Sequence, residues 1–188
     1  MSDPIFLVAL GGNLPSELGP PDVTLIAALE RLPLMGVQVV AASRLYRTPC
    51  FPAGAGPDYV NAAAKVAFNG KPPELLQLLH ELEAEFGRAR VQRWGQRTLD
   101  LDLLAAGDLV LPDRATYLDW QDLPLEQQMK RAPDQLILPH PRLHERAFVL
   151  VPLNDVAPDW QHPVYRRKTA DMLAALPEGA VAEVRALT

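Results

Sequence analysis

The chain has a single cysteine, Cys50, among 188 residues. One thiol cannot build an intramolecular disulfide framework or a multi-cysteine zinc site, and it suits a reducing, cytoplasmic setting. No apolar run approaches the ~18 residues needed to cross a bilayer, so no membrane partner is expected. The start, Met1-Ser2-Asp3-Pro4, lacks the basic opening of a secretion signal and leads straight into apolar residues. A broad basic surface is missing as well, since 18 Lys+Arg stand against 23 Asp+Glu for a formal net charge of −5. That balance excludes a general nucleic-acid binder, because affinity for a phosphate backbone needs an extended positive face. There is no internal repeat, low-complexity tract or domain linker, and the length fits one domain over residues 1–188. Any anion site must therefore be local.

One short stretch supplies it. Residues 88–102 carry Arg88, Arg90, Arg93 and Arg97, then Asp100 and Asp102. Leu99-Asp100-Leu101-Asp102-Leu103-Leu104 alternates with the period of a strand, which puts both aspartates on one face and leucines on the other. Adjacent carboxylates repel unless a cation lies between them. A hard divalent ion is the economical answer: Mg²⁺ takes one or two carboxylates and completes its shell with phosphate oxygens and water. The arginine forks upstream would neutralise the rest of a polyphosphate. A half-exposed edge strand would also alternate, but it would not explain arginines concentrated just before it. Trp94-Gly95 within the run reads either as core packing or as the stacking wall of a lid, and spacing leaves both open. A smaller basic cluster, Arg166-Arg167-Lys168, reads as a solvated turn before a terminal helix.

Periodicity predicts a buried strand over residues 5–10 that ends at Gly11-Gly12-Asn13, a helix over 20–34 and a strand over 37–45. A loop rich in proline and glycine covers 47–57, and a further strand covers 59–68. Pro72-Pro73-Glu74 opens a helix with Leu75, Leu78, Leu79, Leu82 and Phe86 on its apolar face, closed by Gly87. The aspartate strand follows. Residues 112–134 form a polar, proline-bounded excursion with Trp120 and a short helix around 125–131. Helices are expected over 142–151 and 171–176, and a last strand over 181–187. The β-α-β-β-α-β order suggests an α+β, ferredoxin-like sandwich, a mostly antiparallel sheet flanked by helices.

Several motifs occur in sequence order: Gly11-Gly12-Asn13-Leu14, Tyr46-Arg47-Thr48-Pro49, Pro57-Asp58-Tyr59-Val60-Asn61-Ala62, Glu83 with Gly87-Arg88, residues 93–102, Pro139-His140-Pro141-Arg142-Leu143 and Arg146-Ala147-Phe148. Together they resemble the 6-hydroxymethyl-7,8-dihydropterin pyrophosphokinase family of the folate pathway, over about residues 5–163 except the excursion. The resemblance implies transfer of the β,γ-pyrophosphoryl group of ATP to the pterin hydroxymethyl oxygen, with AMP released. It implies two Mg²⁺ ions on Asp100 and Asp102, and Arg88 and Arg97 as catalytic arginines. Trp94 would be the lid tryptophan, and Arg90, Leu103, His140 and Arg146 would lie on the nucleotide side. The pterin would meet Thr48, Pro49, Phe51, Tyr59, Asn61, Glu83 and Phe148. A flat ring is well served by aromatic faces and an amide, although Asn61 also reads as a satisfied core amide.

Three departures stand out. Gly12 replaces the family's usual serine, Gln96 stands where proline is common, and the 112–134 excursion is longer than in compact members. Leu118 and Trp120 on that excursion either cover the body or make a dimer contact; otherwise a monomer is expected. His140 and His144 are four residues apart, but Pro141 intervenes and no third ligand is evident, which argues against zinc. His80 and His162 read as surface or packing residues. Competing readings from the aspartate pair alone are a metal-dependent phosphodiesterase or nucleotidyltransferase, and a nucleotide-binding module without chemistry.

Overall fold

The apolar run near the start forms β1 (Ile5–Gly12), a central strand of an antiparallel sheet. The structure is a computed structural model and describes residues 3–50, 54, 56–87, 97–124, 126–127, 131 and 133–187. The other strands are β2 (Gln38–Ala42), β3 (Tyr46–Thr48), β4 (Tyr59–Ala67), β5 (Asp100–Ala106) and β6 (Arg185–Ala186). Their order is β5-β1-β4-β3-β6, with β2 also paired to β4. Chain order and sheet order together are those of the expected ferredoxin-like α+β sandwich.

Each face of the sheet carries its own helical layer. α1 (Pro21–Arg31) and α2 (Pro72–Glu85) cover one face, where Leu25, Ala28, Leu75, Leu79 and Leu82 meet Phe6, Val8, Leu10, Leu101 and Leu103. α2 starts where its prolines need no donor, and Glu74 reaches back to the Lys71 N–H at 2.7 Å. α4 (Ala147–Val156) and α5 (Thr169–Ala174) cover the other face, with Val149, Leu150, Leu153 and Met172 against Leu7, Ala63 and Leu104. A short α6 (Glu178–Ala182) follows. Towards the end of β1 this second face changes from apolar to polar, with Asn61, Asp100 and Asp102 in register there.

Three local expectations change. The strand expected over 37–45 is broken at Ser43, whose N–H donates to the Ala63 carbonyl while its hydroxyl accepts from the Ala63 N–H, both at 2.9 Å. A side chain thus takes one rung of the ladder and the strand becomes β2 and β3. The strand expected over 181–187 begins in the last turn of α6, which ends at Ala182, and only the two-residue β6 pairs as a strand. In the excursion, most of the helix expected around 125–131 lies outside the described residues, and the element that forms is α3 (Arg114–Gln121). Asp113 caps it by accepting from the Thr116 N–H at 2.9 Å.

The excursion is fastened to the body. Leu111 and Leu138 exchange backbone hydrogen bonds at 2.9 and 3.1 Å and close its stem. Tyr117 is fully buried beside Ile137 and Val164, and Leu118 and Trp120 pack against this cluster, so they cover the body. Its hydroxyl lies 3.2 Å from Nε2 of His162, a wholly buried side chain. His162 Nδ1 accepts from the N–H groups of Val164 and Tyr165 at 3.2 and 3.3 Å. That fixes the neutral tautomer, and burial, with a smaller push from His144, lowers the ring to about 4.

The sign of the pH dependence follows. An unfolded histidine titrates near ~6.5, so between that value and about 4 the unfolded chain binds the extra proton. Stability is therefore full above pH ~6.5 and falls on acidification, by up to about 1.4 kcal/mol per pH unit per histidine. His144 is shifted in the same direction, chiefly by burial. Urea midpoints measured from pH 7.5 to 5 should decline, and less steeply in His162→Asn, which keeps an acceptor. An identical slope in that variant would remove His162 from the account.

Candidate functional site

The period of two places Asp100 and Asp102 half-buried on the α4 face, while Leu101 and Leu103 are sealed on the other. Strand register then carries the site sideways. Asp100 is opposite Gly11, Gly11 opposite Asn61 and Asn61 opposite Tyr46, a single row across four strands. Tyr59 and Thr48 form the next pair of β4 and β3 on that face, two residues along. β5 is an edge strand, and its side away from β1 is closed by two groups. Glu83 of α2, 1% exposed, accepts from the Leu101 N–H at 2.8 Å, and the His140 N–H donates to the Leu104 carbonyl at 2.8 Å. The backbone that carries both aspartates is thus held from each side.

Cationic side chains surround the carboxylates. The Arg97 guanidinium is ion-paired with Asp100. Arg146, at the start of α4, is drawn below the usual arginine value by burial, while Asp102 pulls it back up. Its guanidinium lies 5.7 Å from the centre of the Phe148 ring. His140 Nδ1 accepts from the Arg142 N–H at 3.2 Å. Burial, with Arg146 and Arg142 adding to it and Asp100 opposing, pushes that imidazole down to about 3. His140 is therefore neutral and carries its proton on Nε2, a donor suited to phosphate oxygens. Arg142 pairs with Glu145.

The other end of the row suits a flat polar ring. Asn61 is buried, and its Nδ2 donates to Thr48 Oγ1 at 2.7 Å. A Cβ on Gly11 would stand 3.1 Å from Asn61 Oδ1, so glycine gives the carboxamide its place over β1. Tyr59 is half-buried, and its hydroxyl is raised by burial and Cys50, with Arg97 opposing and Asp100 adding. It therefore lies within electrostatic reach of the Arg97–Asp100 pair. Phe148 is 41% exposed in the first turn of α4, and Pro49 is exposed just beyond β3.

Thr48, Tyr59, Asn61, Arg97, Asp100, Asp102, His140, Arg146 and Phe148 thus belong to one region of one face. Arg88, Arg90, Trp94 and Phe51 lie outside the described residues. Two expected site residues direct their side chains away from the half-exposed aspartates. The Glu83 carboxylate is buried on the Leu101 N–H. The Leu103 side chain sits in the core under α1 and α2, on the face away from the aspartates. Arg142 and Asn13, quoted above only within motifs, also join the site, and Asn13 contacts Arg97 directly. Among the described residues no group of three or more His, Cys, Asp and Glu is placed to hold a metal. Two aspartates with arginines beside them suit a hard cation that arrives sharing phosphate oxygens.

Comparisons with known proteins agree with this geometry. Residues 7–158 match the family model described as 7,8-dihydro-6-hydroxymethylpterin-pyrophosphokinase. A 2-amino-4-hydroxy-6-hydroxymethyldihydropteridine pyrophosphokinase from Pseudomonas aeruginosa is 39% identical over 170 residues, 90% of each chain. The Synechocystis protein of the same name is 39% identical over 158 residues, 84% of this chain and 68% of its own. Among solved structures, an HPPK-DHPS complexed with substrates superposes with a TM-score of 0.65 over 93% of this chain at 13% identity. The Plasmodium falciparum HPPK-DHPS gives 0.60 over 91% at 15% identity. This chain spans 43% of each of those two longer chains, and at such identities the likeness concerns the fold.

The contact of Glu83 with β5 can be tested directly. Glu83→Ala leaves the buried Leu101 N–H without an acceptor, which should cost about 1–3 kcal/mol. Glu83→Gln keeps an acceptor oxygen and should recover most of that loss in denaturant midpoints. An alanine variant as stable as the parent would show that the contact does not hold β5.

Proposed function

The chain belongs to the 7,8-dihydro-6-hydroxymethylpterin pyrophosphokinase family, and from that premise we propose that it transfers the β,γ-pyrophosphoryl group of ATP to the hydroxymethyl oxygen of 6-hydroxymethyl-7,8-dihydropterin, releasing AMP. It acts as a step of folate synthesis, in the cytoplasm. The observation that carries this reading is the row Asp100–Gly11–Asn61, which sets a carboxylate and arginine cluster beside a buried amide on one sheet face. A phosphodiesterase or nucleotidyltransferase has no need of the second half of that row.

Asp100 and Asp102 would hold two Mg²⁺ ions together with the triphosphate. Bound there, the ions supply charge neutralisation and polarise the β-phosphorus. Arg97 exchanges Asp100 for phosphate oxygens when ATP is loaded, and so screens the charge that develops as the bond to AMP breaks. Arg146 and the neutral His140 take the remaining phosphate or ribose oxygens. On the acceptor side, Asn61 pairs the pterin edge and Tyr59 and Phe148 offer ring faces. Attack by the hydroxymethyl oxygen on the β-phosphorus forms the new P–O bond, and the bond to the α-phosphate oxygen breaks. Arg88, Arg90, Trp94 and Phe51 complete the reading as the catalytic arginine, the further nucleotide-side arginine, the lid tryptophan and a ring wall.

With ATP, Mg²⁺ and the reduced hydroxymethylpterin, AMP and pterin diphosphate should form one for one. ADP as product, or AMP formed without pterin, would overturn the assignment. Asp102→Ala should lower kcat by roughly two orders of magnitude or more, with pterin affinity measured by calorimetry changing much less.

A further inference from the structure

Asn13 directly follows β1 with only 2% of its surface exposed, and it is bonded to both segments that enter the site, at Arg97 and Pro57. Its backbone N–H donates to the Arg97 carbonyl at 2.9 Å, and its Oδ1 accepts from the Arg97 N–H at 2.9 Å. The two residues therefore pair as a ladder rung would, with a side-chain amide in place of one peptide. Nδ2 donates to the Pro57 carbonyl at 3.3 Å, two residues before Tyr59. The preceding residue tightens the joint: a Cβ on Gly12 would stand 2.5 Å from the Thr98 carbonyl oxygen. That leaves no room for a side chain, so β1 and residues 97–98 meet backbone to backbone.

We propose that Asn13 is a positioning residue of the transfer reaction. Its amide sets the main chain of Arg97, and with it the guanidinium beside Asp100. The same amide ties that segment to the strand bearing Tyr59 and Asn61, so one buried side chain keeps the phosphate half and the ring half of the site in register. The inference rests on the assignment of Arg97 to the chemistry of pyrophosphoryl transfer. It differs from a packing role in what it demands, because the kinetic effect of Asn13 must pass through Arg97.

A double-mutant cycle separates the two. Asn13→Ala should lower kcat roughly 10- to 100-fold, the scale expected when a transition-state contact is displaced by about an ångström. In an Arg97→Ala background the same change should cost less than about twofold. Asn13→Asp keeps an acceptor for the Arg97 N–H but turns an oxygen toward the Pro57 carbonyl. It should recover most of the kcat lost in Asn13→Ala while raising the KM for the pterin. Equal kcat losses from Asn13→Ala in both backgrounds, or no recovery in a folded Asn13→Asp, would overturn the proposal while leaving Arg97 catalytic. Unimpaired turnover in Arg97→Ala would instead overturn the assignment of Arg97, and this proposal with it. Should Asn13→Ala fail to fold, Asn13→Ser, too short to reach the Arg97 N–H, carries the cycle, and a pterin KM in Asn13→Asp equal to the parent's would overturn the tie to residue 57.

Discussion

Two carboxylates on one face of a strand repel each other, and much of the architecture around Asp100 and Asp102 answers that repulsion. Arg97 neutralises one directly, and Arg146 stands near the other from the start of α4. Both carboxylates also need a strand that does not yield, since mutual repulsion would otherwise be relieved by moving backbone. β5 is held by β1 along one side, and by Glu83 and His140 on the other. The buried Glu83 carboxylate would be a liability in an ordinary leucine-lined helix face. Here it is an acceptor placed where an edge strand lacks one.

The parts of the fold that could be read from sequence are those with one dominant period. β1 is a continuous apolar run, α2 shows leucines at helical spacing between two prolines and a glycine, and β5 alternates strictly. α3 is two turns long, and its apolar face is only Tyr117, Leu118 and Trp120, too short a stripe to repeat at the helical period. The break between β2 and β3 depends on a serine hydroxyl replacing a backbone group across the sheet, a long-range event that no local pattern encodes. Residues 181–187 mix apolar and charged side chains, yet the end of α6 takes the first two of them and only Arg185–Ala186 pair as a strand.

The site divides in the same way. The aspartate pair and the basic residues before it were visible because charge and period coincide in one segment. Tyr59, Asn61 and Thr48 come together only through register, which family motifs signalled and periodicity could not. For Glu83, helical spacing says that it shares a face with leucines, not that its carboxylate accepts from the Leu101 N–H of β5. Asn13 showed as part of a turn, with nothing to indicate that its amide reaches residues 84 and 44 positions away in the chain.

The closed edge of β5 also bears on how this protein can associate. Open strand edges are the usual template for sheet extension between chains, whether in ordered dimers or in aggregates. At β5 an incoming strand would have to displace Glu83 from Leu101 and the His140 segment from Leu104. The opposite border is divided between the five-residue β2 and the two-residue β6, two short strands in place of one long edge. The groups that steady the aspartate strand therefore also insulate it, and any self-assembly through the β5 edge would first have to strip Glu83 and the His140 segment from it.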